Sequence, residues 1–188
     1  LRGKDLETEQ FSIEHRDQQF AILKNAQDRV LNLQYWHDFL KAIRQAGFRS
    51  GKMISSDNNL LFSYILYLIG RTEYHIDEFM LRRIIAKWFF LSSLTKRYTD
   101  SPESAMEFDL ARFRGMSDAG EFINTLEKIC DTTITNDYWE ITLPYELATS
   151  ASQSPSLFAF SAAQVLLDAT ALFSRQKISE LLDPSIQA

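Results

Sequence analysis

One cysteine, six glycines and four prolines are all that these 188 residues contain of three informative residue types, and each shortage excludes something. Cys130 alone cannot form an internal disulfide, so no disulfide framework holds the fold, and a reducing cytoplasm is the compartment that fits. Three separated histidines, His15, His37 and His75, are a poor stock of metal ligands, and neither H-E-x-x-H nor C-x-x-C occurs. No Asn-Gly or Asp-Gly dipeptide joins alternating apolar residues, which removes the strongest local signal for hairpins. No glycine-rich phosphate loop is present either. The longest near-continuous apolar run, Leu60 to Ile69, is too short to span a bilayer, so no membrane partner is expected. The chain opens on Leu1 with no basic-then-apolar leader, and is read as a piece of a longer polypeptide.

What is present is a composition for burial: 45% hydrophobic, 13% aromatic and 24% charged residues. A chain of this size removes roughly 70% of its unfolded surface from water, enough for a core without a metal or a disulfide. The net charge of −5 conceals an uneven distribution, −2 over residues 1–40, +5 over 41–100 and −8 over 101–188. A pI of 5.2 argues against DNA binding as the main task, while leaving room for a local basic patch.

Helical spacing dominates. From Phe20, the residues Ile22, Leu23, Ala26, Val30, Leu33, Trp36, Leu40 and Ile43 recur at three- and four-residue steps, which predicts one long helix capped by Gly47. A Ser- and Asp-containing loop over 48–58 precedes a helix from Leu60 to Ile69, apolar nearly all round and so expected at the centre of the core, with Gly70 ending it. A further helix is predicted from about Asp77 to Tyr98, buried through Phe79, Leu81, Ile84, Ile85, Trp88, Phe89 and Leu94. Ser101-Pro102-Glu103 and Ser154-Pro155 are helix-start signals. After the first of them Met106, Leu110 and Phe113 share a side, and Phe122, Ile123, Leu126 and Ile129 mark another short helix. After the second, the alanines of Leu157–Leu172 permit close helix contact. Between 132 and 154 the periodicity fades, which predicts an irregular connection and a helical turn around Tyr145, with two short strands as the other option. The fold expected is all-α, one bundle-like domain over 1–188 with six to eight helices and one irregular segment at about 132–154.

Chemistry-bearing residues have plain structural explanations. Cys130 ends an apolar helix face, where a small buried hydrophobe belongs. Glu103, Glu107 and Asp109 complement the start of a helix better than they form a catalytic pair. The tryptophans and phenylalanines lie at core spacing. The surface candidate is a basic set, Arg82, Arg83, Lys87, Lys96 and Arg97, which on a continuous helix falls within about half the circumference. Such a stripe suits phosphate contacts, a solvated face, or pairing with the acidic last third of the same chain. No catalytic residue, metal ligand or cofactor site is assigned.

Four blocks, GFRSGKMISSDNNLLFSYILYLIGR (47–71), LRRIIAKWFFLSSLTKRYTDSPESAMEFDLARF (81–113), TNDYWEITLPYEL (135–147) and SQSPSLFAFSAAQVLLDATALFS (152–174), carry a resemblance. They resemble the helical region of bacterial proteins of the GmrSD restriction-endonuclease type, which have a ParB-like Asp-Gly-Gln-Gln-Arg domain at the N-terminus and, in many relatives, an HNH nuclease at the other end. The resemblance implies a role in defence against modified foreign DNA. It makes this chain a helical body between a nucleotide-dependent module and a nuclease module. Neither module's signature is here: Arg16-Asp17-Gln18-Gln19 lacks the glycine and no HNH histidine pair occurs, so no catalytic residue is carried over. The expected role is a non-catalytic scaffold and interaction domain whose partners are those flanking modules or a second copy, the alternative being an accessory DNA-backbone binder using the basic stripe.

Overall fold

Serine and aspartate side chains set most of the helix starts. Ser12 accepts a hydrogen bond from His15 N, Ser56 from Asn59 N, Asp118 from Glu121 N and Ser154 from Leu157 N, each filling an otherwise unpaired first-turn donor. The computed structural model describes residues 3–4, 10–149 and 154–185. Among them are nine α-helices: α1 (Ile13–Val30), α2 (Leu33–Gln45), α3 (Asp57–Thr72), α4 (Glu78–Leu94), α5 (Pro102–Arg112), α6 (Ala119–Thr133), α7 (Leu143–Thr149), α8 (Pro155–Leu166) and α9 (Ile178–Leu181). A 3-10 turn at Gly51–Met53 and a π-helical turn at Tyr138–Thr142 complete the order, and no strand is present among the described residues. The all-α expectation holds. Among the described residues no helix is long and apolar enough to cross a membrane.

The chain divides into two compact units, 1–37 and 38–188, where the sequence reading takes 1–188 as one. In the first, α1 has no buried residue, and the Gln19 side chain accepts from Gly3 N and donates to Lys4 O. The long helix expected from Phe20 to Ile43 breaks at 31–32: the Asn32 side chain accepts from Gln34 N and Tyr35 N, restarting the chain as α2. Ile22, Leu23 and Val30, expected on its apolar face, are exposed.

In the second unit α4 is the hub, packed on α3, α6 and α8. Aromatic rings fill the joints, with Phe62 at 5.0 Å from Tyr98, Phe48 at 4.9 Å from Phe89, and Phe122 between Tyr74 and Phe113. Gly47 caps α2 as predicted: at φ 92° it donates to Arg44 O while Phe48 N reaches Ile43 O, a Schellman arrangement. A Cβ there would stand 2.3 Å from Ala162 O, so the same glycine lets α8 approach closely, with Ala159 and Ala162 fully buried. Gly70 does not end a helix; it lies inside α3, where a Cβ would meet Leu81 Cδ1 at 2.6 Å. Close packing, not termination, explains it.

Two more expectations differ, and a third holds in part. Helix α8 stops at Leu166, ended by a Schellman turn through Asp168 at φ 53°. The first-turn residue Phe79 is 71% exposed, and the buried stripe begins at Leu81. The 132–154 segment holds no strand among its described residues; it is wound into the π turn and α7, which contains Tyr145. Tyr138 OH donates to Leu94 O at 2.9 Å, fixing the π turn to the end of α4. The wider winding explains why a 3.6-residue period was not readable there.

Candidate basic interface on α4

The basic residues depend on where α4 stops. Asp77 caps its start by accepting from Phe79 N and Met80 N, and Leu94 is its last residue, four short of the predicted Tyr98. Lys96 stands at φ 54°, with Lys96 N donating to Ser93 O and Arg97 N to Ser92 O. This is the Schellman geometry with lysine in the position glycine usually fills. The five cations therefore do not form one helical stripe. Arg82, Arg83 and Lys87 project from α4, Lys96 sits in its cap, and Arg97 is turned inward.

Each of the five meets a carboxylate of the same chain. Arg82 bonds Glu78 one turn back. Arg83 lies 3.9 Å from Glu127 and Lys87 2.7 Å from Asp131, both on α6. Lys96 reaches Glu146 of α7 at 2.9 Å. Arg97 grips Asp109 of α5 with two prongs, Nε to Oδ2 at 2.7 Å and Nη2 to Oδ1 at 2.6 Å. Of the three readings open to a basic stripe, pairing with the acidic last third is thus the one visible for four of them, Arg82 pairing within its own helix.

The Arg97 pair is a buried network. Asp109 is 0% exposed and accepts a third hydrogen bond from Tyr98 OH at 2.7 Å. Arg97 also donates to Thr133 Oγ1 at 3.2 Å and lies 5.7 Å from the Trp88 ring centroid. The Asp109 hydrogen bond raises the Arg97 pKa, and burial, followed by the Asp109 charge, pushes the Tyr98 hydroxyl up. A second network crosses from α3 to α4: Asn59 Nδ2 donates to Ser93 Oγ at 2.8 Å and Ser92 Oγ donates to Asn59 Oδ1 at 2.7 Å. Asn59 and Tyr98 were not singled out from sequence as parts of a site, and Asp109, read there with Glu103 and Glu107 as complementing a helix start, is instead the buried partner of Arg97 and Tyr98. Asp109 had left a signal, since it stands between Met106, Leu110 and Phe113 at i+3 on the apolar side of α5.

Three further ionisable groups are shifted by their surroundings. Lys87 is raised by its hydrogen bond to Asp131. Burial pushes Glu146 up, but the Ser156 hydroxyl and the Lys96 ammonium outweigh it and hold the carboxyl below its ordinary value. Burial raises Cys130 to about 11, leaving a thiol with almost no thiolate near neutral pH. Among the described residues, no three His, Cys, Asp or Glu side chains gather in a way that would hold a metal ion. Compared with known protein families, curated proteins and solved structures, the chain gives no match.

Proposed function

We propose that this chain is a non-catalytic helical scaffold that positions the flanking nuclease and nucleotide-dependent modules of a GmrSD-like restriction protein in the cytoplasm. The observation that carries this reading is the pairing of all five candidate cations with carboxylates of their own chain. A cation already matched by a nearby anion offers a phosphate backbone little net charge, whereas it ties α4 to α5, α6 and α7. Exposed Trp139, Ile141, Tyr145 and Phe160 on the α7–α8 side supply apolar surface for contact with a module or a second copy.

The DNA-backbone reading is kept for one reason. Arg83–Glu127 is long at 3.9 Å and Lys87–Asp131 is exposed on both sides, and pairs of that kind hold by no more than about 1 kcal/mol, so phosphate could displace the acids. Fluorescence anisotropy of a labelled duplex, at low and moderate salt, separates the readings. The scaffold predicts no retention at either salt and no effect of Arg83→Glu with Lys87→Glu. Binding that falls steeply with salt and disappears in the double variant would overturn it in favour of the DNA reading.

A further inference from the structure

Away from α4, the 3-10 turn at Gly51–Met53 faces the start of α8 and the end of α9 across a groove of about 680 Å³. Its walls are apolar, formed by Met53, Leu157, Phe158, Leu181 and Leu182, and its volume is of the size that holds a small organic molecule. Lys52 lines this groove and also the adjoining recess beside Ile54 and Phe158.

The electrostatics of this rim are the reverse of those at α4. Lys52, which lines the groove, is exposed and has no carboxylate partner among the described residues. Near the opposite wall the Asp183 carboxylate is taken up by Arg44 at 3.0 Å and by the Ser185 hydroxyl at 2.6 Å. Where α4 matches every cation internally, the groove has in Lys52 a cation without a carboxylate partner among the described residues, beside an apolar trough. We propose that the groove is a binding site for a small amphiphile with one anionic head, a carboxylate or sulfonate, and an apolar body. Lys52 would hold the head, and Phe158 with Leu157 and Leu182 would cover the body. The inference goes beyond the scaffold role and does not depend on it.

The test uses anilinonaphthalene sulfonate, an apolar body with one sulfonate, titrated into the chain and followed by its fluorescence. Dodecanoate and dodecyltrimethylammonium, equal in chain length and opposite in charge, serve as competitors. Saturable binding displaced by dodecanoate and not by the cation is expected, with Lys52→Glu weakening affinity about tenfold or more, as removal of a charge-assisted contact does. Phe158→Ala should weaken it as well. Trp139→Ala, in a separate apolar slot, should leave it unchanged. Circular dichroism checks that each variant is folded, and the wild-type competition stands even where one is not. Absence of saturable binding, equal displacement by both competitors, or sensitivity to Trp139→Ala with none to Lys52→Glu would overturn the assignment.

Discussion

Replacing Asp109 with alanine is the most informative single perturbation of this fold. The carboxylate is fully buried and accepts three hydrogen bonds, two from Arg97 and one from Tyr98, at 2.6 to 2.7 Å. Alanine would leave the Arg97 guanidinium, whose side chain is 20% exposed, without its anion, and the Tyr98 hydroxyl without an acceptor. Breaking one side of such a pair costs about 3–5 kcal/mol, because the remaining charge stays desolvated. For a chain of this size that corresponds to a fall in Tm of roughly 6–20 °C, each kcal/mol moving Tm by about 2–4 °C. Urea unfolding followed by circular dichroism measures it. Asp109→Asn should fall between, since the amide keeps one acceptor but turns a donor toward donors. Adding Tyr98→Phe to Asp109→Ala should restore part of the loss, because the orphaned hydroxyl is then gone. A shift below about 1 kcal/mol for Asp109→Ala would refute the claim that this carboxylate holds α5 to the cap of α4.

Further outcomes follow from the same geometry. Glu146 titrates below its ordinary value of 4.5, so its pairing with Lys96 and Ser156 stabilises fully above that pH and is lost as pH falls through the lower folded value. The stability gap between wild type and Glu146→Gln, measured by urea titration at several pH values, should therefore close as acid is added below 4.5. With its thiol at about 11, Cys130 should resist alkylation by iodoacetamide at pH 8 in the folded chain and react readily in urea. Gly47→Ala combines a positive φ with a 2.3 Å approach to Ala162 O, and should destabilise by more than about 1 kcal/mol in thermal unfolding.

Helix starts were the most readable part of this chain, because an N-cap is written in one residue and its successors. Ser154-Pro155 marked a true start and Gly47 a true end, and the loop over 48–58 held the cap of α3, Ser56, although that helix begins at Asp57 and not at the expected Leu60. The unreadable boundaries have two physical causes. Asn32 interrupts a run of apolar residues whose spacing continues across it, so period alone sees one helix. Lys96 and Asp168 end helices at positive φ without being glycine, so nothing in composition announces the turn. The first of these had the larger consequence: a wheel drawn through Tyr98 places Arg97 with the surface cations, whereas the turn at Lys96 directs it to Asp109. The basic residues were legible as a group, but apart from Glu78, one turn before Arg82, their partners lie 12 to 50 residues away and depend on helix packing that no local pattern encodes.

The two grips beside the end of α4 also differ in how much chain each must close. Arg97 meets Asp109 across 12 residues, while Lys96, its neighbour, meets Glu146 across 50. Loop-closure entropy grows with the logarithm of that span, so the longer ring is disfavoured by roughly 1 kcal/mol more. The corner between α4 and α5 is therefore the cheaper of the two to close, and the contact to α7 carries the larger ordering cost.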